Sequence, residues 1–233
     1  MARITRKELK TDKFALDVGL TVTFFEDHRK EITRYGAVAL VVVLLIIGYS
    51  IYSRRQHGVR QDALARAIQV QESPIGPPTP GVNFNFPTQD SKDQAAIQAF
   101  SDLQARFPGT AEGDIAEYYL GAIKADQGKL AEAEVRFKNV VDKGDARYAS
   151  LAKLSLSQIY FADGRADQGE KVLRDLMDHP TIYVSKEQAT LALARALVAK
   201  KPAEARKLLD PLRSQRGTVG QVALSILGEL PPQ

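Results

Sequence analysis

The sequence predicts an all-α chain: a single N-terminal transmembrane helix followed by an α-solenoid of helix hairpins. Three observations carry this reading. The 19 residues from Tyr35 to Ser53 contain no charge. A pattern of one small and two apolar residues recurs four times, with a spacing of 37, 36 and 36 residues. Between the two regions lie Pro74, Pro77, Pro78, Pro80 and Pro87, which remove backbone donors and favour extended backbone. The expected division is a cytoplasmic N-terminal segment (1–34), a membrane helix (35–53), a juxtamembrane helix (54–72), a Pro-rich linker (73–91) and a repeat domain (92–233).

Thr5-Arg6-Lys7-Glu8 has the form of a capping box and predicts a helix start. Phe14, Val18, Val22 and Phe25 then recur at helical spacing. Such a stripe suits either the inner face of a membrane or a helix ordered by a partner.

From Tyr35 to Ser53 a helix rising ~1.5 Å per residue covers roughly 28 Å, about the thickness of a hydrocarbon core. Val41-Val42-Val43-Leu44-Leu45-Ile46-Ile47 is apolar on every side of such a helix, which a core helix rarely needs. Arg34 precedes the span and Arg54 and Arg55 follow it. Tyr35, Tyr49 and Tyr52 stand where amphipathic rings favour the interface. The residues ahead of the span and the sequence Tyr49-Ser50-Ile51-Tyr52-Ser53-Arg54 behind it do not suit signal cleavage, so an uncleaved anchor is expected. Basic residues flank both ends closely. Those further out, Arg3, Arg6, Lys7, Lys10 and Lys13, favour a cytoplasmic N-terminus, with the C-terminal domain across the membrane. The expected topology is therefore a single pass, with the repeat domain on the side of the membrane away from the cytoplasm.

The formal charge of +4 comes from the region before the linker, since from Asp90 onward 20 basic residues meet 20 acidic ones. That argues against nucleic-acid binding and for attraction to anionic lipid beside the anchor. With no cysteine, thiol catalysis, disulfides and cysteine metal sites are excluded. Arg54 to Glu72 carries Val59, Ala63, Ala67 and Val70 on one face, so the anchor helix can continue beyond the membrane. Phe84 and Phe86 are candidates to dock on the domain that follows.

The four repeated sets are Ala96, Phe100 and Leu103; Ala133, Phe137 and Val140; Gly169, Leu173 and Leu176; and Ala205, Leu209 and Leu212. Their period suits one helix pair per unit, with the small residue allowing two backbones to approach. Gly128 and Gly164 supply turns before two of the sets. Pro108-Gly109, His179-Pro180 and Gly217 close three second helices. Val219 to Leu230 reads as a closing helix, with Val222, Leu224, Ile226 and Leu227 expected to cover the last pair.

On Leu120, Gly121, Gly128, Ala133, Phe137, Tyr160, Gly164 and Leu176, the region from Lys92 to Leu230 resembles the tetratricopeptide repeat (TPR) family. Phe107-Pro108-Gly109-Thr110 is similar to a common ending between such repeats. Lys200 departs from the pattern at a turn glycine, and the first unit retains only its second helix. The resemblance implies a non-enzymatic binding scaffold whose ligands lie in a groove lined by the first helix of each pair. Carried over to this chain, those groove positions are Tyr118, Ala122, Leu154, Gln158, Phe161, Thr190, Ala194 and Leu197. Leu154 and Phe161 serve equally well as packing residues. Tyr118, Ala122, Ser155, Glu187 and Leu191 stand where some relatives clamp a peptide carboxylate with basic groups, so carboxylate capture is not expected.

No catalytic motif, phosphate loop or metal-ligating spacing is present, and His28, His57 and His179 are scattered. Glu132, Glu134, Asp163 and Asp167 are expected at helix starts or on solvated faces. No cofactor or small-molecule substrate is expected. The anchor, the repeats and Glu31-Ile32-Thr33-Arg34-Tyr35-Gly36 before the span together resemble the YfgM family of inner-membrane proteins. That resemblance implies a bacterial inner-membrane location with the repeat domain in the periplasm, and an ancillary subunit of the SecYEG translocon with translocon subunits, a PpiD-like chaperone and emerging polypeptides as partners. The alternative is a structural adaptor in envelope assembly or cell division, where similar repeats occur.

Overall fold

The computed structural model describes residues 29–77 and 84–231. The capping box at Thr5 to Glu8 and the stripe from Phe14 to Phe25 lie outside the described residues, as do Pro78 and Pro80. Within the described residues there are nine helices and no strand beyond an isolated bridge between Ile75 and Phe86. Two compact units divide the chain at Gly58 and Val59.

The first unit holds most of α1, which runs over Arg29–Glu72. Large apolar side chains from Val38 to Ile47 are about half exposed or more, reaching 68% at Leu45. Among the described residues of this unit nothing covers them. The helix is long and apolar enough to cross a membrane, and its apolar window is not part of a protein core.

In the second unit, α2 (Gln89–Arg106), α3 (Ala111–Asp126), α4 (Leu130–Lys143), α5 (Ala146–Ala162), α6 (Ala166–Asp178), α7 (Lys186–Leu197), α8 (Pro202–Leu209) and α9 (Thr218–Glu229) stack in chain order. All twelve residues of the four repeated sets are buried. Each set forms the inward stripe of a second helix, α2, α4 or α6, or of α8 and the turn after it, because a spacing of four and then three returns to one helical face.

Where the sequence left the first unit without its first helix, the structure supplies it from the end of α1. Ala67 and Val70 are buried in one cluster with Ala96, Phe100 and Leu103, and Ala63, Leu64 and Ile68 lie against it. Arg60 donates to the buried carboxylate of Glu112 on α3 at 3.1 Å. The linker contributes Phe86, which lies on the same cluster, while Phe84 stays exposed. A backbone bond from Gly76 N–H to the Phe86 carbonyl, 2.9 Å long, holds the two ends of the linker together.

The turns follow from glycine. Gly128 and Gly164 adopt φ of +73° and +77° between the paired helices, a region other residues avoid. Lys200 fills the equivalent place because the chain there needs no left-handed residue: Val198 stays helical and Lys201 N–H donates to the Leu197 carbonyl at 2.8 Å. In the Phe-Pro-Gly-Thr ending, Gly109 takes φ +68°, and Thr110 Oγ1 accepts from Gly113 N–H to cap α3.

The closing helix forms, with a different register on the last pair. Gly220, Ala223 and Ile226 are buried along α9, Leu230 is buried just past its end, and Leu227 lies against them. Val222 and Leu224 are 38% and 56% exposed, correcting the expected cover. A stripe through Ala223, Ile226 and Leu230 keeps the three-and-four spacing that Leu224 breaks.

Candidate protein-binding groove

First helices α3 and α5 stand side by side, both resting on α4. Two close approaches set their positions. A Cβ added at Gly121 would come within 2.9 Å of the Phe137 ring, and one at Gly169 within 2.7 Å of the Phe161 ring. Small residues at these points are therefore what allow α3 to seat on α4, and α5 on α6.

Along one side runs a chain of aromatic rings. Phe100 stacks on Tyr119 at 4.8 Å between centroids and an interplanar angle of 3°. Tyr119 meets Tyr118 edge-on at 5.8 Å, Tyr118 meets Tyr148 at 5.7 Å, and Tyr148 meets Tyr183 at 5.4 Å. Rings from three successive units and from the connection between α6 and α7 thus touch in sequence. The three offset pairs have the edge-to-face form favoured by the ring quadrupole, each worth about 0.5–1.5 kcal/mol beyond area burial. Burial pushes the Tyr148 hydroxyl up to about 12, with Tyr119 and Tyr183 nearby adding to the effect. Burial also raises Tyr119, and Glu72 contributes. These phenols stay protonated and able to donate hydrogen bonds throughout the neutral range.

Beside Phe137, a pocket of about 320 Å³ opens between α3, α4 and α5. Phe137, Ile159 and Leu130 supply an apolar floor, and Ala122, Ala125 and Ala162 leave the space. Its polar lining consists of Asp126, Ser155 and Gln158.

The eight groove positions separate accordingly. Ala122 and Gln158 line the pocket, and Tyr118 sits in the aromatic chain. Leu154 and Phe161 lie against the last core cluster, with the Phe161 ring close over Gly169. Thr190, Ala194 and Leu197 are only 6%, 0% and 2% exposed. Ala194 and Leu197 share a core cluster with Ala223 and Ile226, because α9 packs on α7 and closes that end of the array. For these three positions the groove expectation gives way to core. Sequence reasoning missed Tyr119, Tyr148, Tyr183 and Asp126. The usable signal was that all five tyrosines beyond the linker are at 118, 119, 148, 160 and 183, and four of them join one chain of rings.

Glu117, Glu132 and Glu134 join helices. Glu117 is buried and accepts from Gln104, Arg136 and Asn139, tying α2, α3 and α4 together. Glu134, expected on a solvated face, is largely buried and holds Arg165 and Lys138. Asp163 also pairs with Arg165, and Glu132 pairs with Lys124. His179 rests 3.2 Å from Asp175, exposed at the end of α6. Among the described residues no group of three His, Asp or Glu side chains is placed to hold a metal ion.

Residues 23–186 match the tetratricopeptide repeat-like domain family. The chain belongs to this family. No curated protein matches the chain, and no solved structure does. The match begins ahead of α1 and ends at the first residue of α7, so this TPR-like family includes the apolar helix together with the first repeats. Protein interaction is what such an array does, and the all-helical TPR-like architecture is typical of non-enzymatic scaffolds.

Proposed function

We propose that this TPR-like chain is a membrane-tethered scaffold which holds other polypeptides in the groove between α3 and α5, as an ancillary subunit of the SecYEG translocon in the bacterial inner membrane. The observation that carries the reading is the combination, in one family match, of an apolar helix exposed on all sides with an array bearing an aromatic chain and an open pocket. Tethering a groove near a channel exit raises its effective concentration for each emerging segment to about the millimolar range, so weak contacts suffice. Its partners are then translocon subunits, a PpiD-like chaperone and emerging chains, with lipid around the anchor.

A photoreactive residue at Tyr118 or Gln158, activated in cells, tests this. Adducts with translocon subunits, the chaperone or nascent chains are expected. Adducts with envelope-assembly factors would transfer the scaffold to that role, and no adducts would remove the proposal. Orientation is tested separately, since the chain has no native cysteine. A cysteine at Ser101 should react with an impermeant thiol reagent from outside and one at Thr11 should not; the reverse would invert the topology.

A further inference from the structure

We infer that the pocket beside Phe137 is built for a cationic side chain, so that the groove selects polypeptide segments presenting a lysine or arginine within an apolar stretch. This rests on the proposed protein-binding role and names the chemistry of the occupant.

The pocket has an apolar floor from Phe137, Ile159 and Leu130 and one charged group, Asp126, exposed among its lining residues. Among the described residues Asp126 makes no ion pair, whereas Glu117, Glu134 and Glu170 are each held by a cation. An open pocket that combines an apolar floor with a single anionic group suits a side chain with a methylene stem and a charged head. Lysine and arginine lay such a stem along apolar surface and keep the head hydrated. Ser155 and Gln158 add oxygen acceptors for the remaining donors. An acidic side chain would meet Asp126 with like charge, and a purely apolar one would leave that carboxylate unused.

The charge of the surrounding array points the same way. Residues 90–185, which contain the pocket and the aromatic chain, hold 16 acidic and 12 basic residues. Residues 186–233 hold 4 acidic and 8 basic. Overall neutrality of the repeat domain thus conceals an acidic segment, 90–185, to which the groove belongs, and a basic C-terminal end. Fields of this kind favour cationic segments during encounter and weaken with salt.

The test uses the full chain in nanodiscs of zwitterionic lipid and three labelled peptides of leucine and serine that differ at one central position, carrying lysine, norleucine or glutamate. Fluorescence anisotropy, corrected against empty nanodiscs, should give an affinity for the lysine peptide about fivefold above norleucine, with glutamate weakest. Asp126→Asn should abolish the preference for lysine over norleucine. Equal binding of lysine and norleucine, or a preference that survives Asp126→Asn, would overturn the cation assignment and keep the groove. Binding of none of the three would overturn the assignment, and absence of crosslinks from Tyr118 and Gln158 as well would remove the groove itself.

Discussion

The Glu134 carboxylate receives both terminal nitrogens of Arg165, at 3.0 and 2.6 Å, across the boundary between two repeat units. One unit further on, Lys201 Nζ donates to both oxygens of Glu170 at 2.7 and 3.0 Å. Each cation lies 31 residues after its carboxylate and occupies the N-cap position of a second helix, α6 or α8. Neither N-cap side chain caps its own helix, so the cation is free to reach back and join units. Glu134→Gln is expected to lower unfolding stability by about 1–2 kcal/mol, because the fork of Arg165 loses a charged, largely buried acceptor. Arg165→Lys should lose part of this, since a single ammonium lacks the planar two-nitrogen fork that serves both Glu134 oxygens and Asp163 together. Thermal unfolding of the chain in detergent measures both. An unchanged midpoint for Glu134→Gln would mean the pair is merely tolerated.

The same pairs set the response to acid. Hydrogen bonding from Arg165, followed by Lys138, holds the Glu134 carboxyl down at about 2, and Lys201 with Arg174 lowers Glu170. Lys153 does the same for Asp175, and Arg147 for Asp145. A carboxyl whose folded value lies below its unfolded value stabilises fully above the unfolded value and loses that contribution as pH falls through the folded one. Stability should therefore be flat above about pH 5 and fall progressively toward about pH 2. Asp114 works in the opposite sense, since burial and the nearby Asp145 and Glu117 raise it. Urea unfolding across this range tests the expectation: Glu134→Gln should flatten the acid limb, and an unchanged limb would show that other groups control it.

At Gly169 the expected cost is steric. A methyl group there would lie 2.7 Å from the Phe161 ring, closer than real contacts allow, so the ring or the helix must move. Gly169→Ala should destabilise by about 1–3 kcal/mol despite its better helix propensity. The double variant Gly169→Ala with Phe161→Leu should recover part of that loss, because the smaller side chain vacates the space. Additive losses in the double variant would refute this account of the close approach.

What the sequence made legible follows from what is periodic. Ala96, Phe100 and Leu103 and their three counterparts are buried as expected, because one helical face repeated at a fixed interval has few ways to be satisfied other than stacking. Tyr118 and Ala122 could be placed on the first helix of their unit for the same reason. Thr190, Ala194 and Leu197 could not be distinguished from groove, since whether a first helix faces solvent depends on what covers it, and α9 covers α7. Tyr148 and Tyr183 entered the aromatic chain through contacts between units, which no single helical face encodes. The 31-residue offset of the cross-unit ion pairs is present twice in the sequence, yet only the depth of Glu134 and Glu170 gives it meaning.

Ala67 gives the sharpest test of how the array begins. It is 1% exposed in the cluster with Phe100, although it belongs to the helix that begins at Arg29. If residues 59–72 act as the first helix of the first unit, a charge there is buried without a partner. Ala67→Asp should then cost about 3 kcal/mol or more. In a repeat array each unit leans on its neighbours, so the damage should concentrate at that end. Hydrogen exchange should accelerate in α2 and α3 and stay near its original rate in α7 and α8. Ala65→Asp, on the exposed side of the same stretch, should leave exchange in α2 unchanged. Equal protection of α2 in the Ala67 variant and the original chain would mean that the first unit stands without α1.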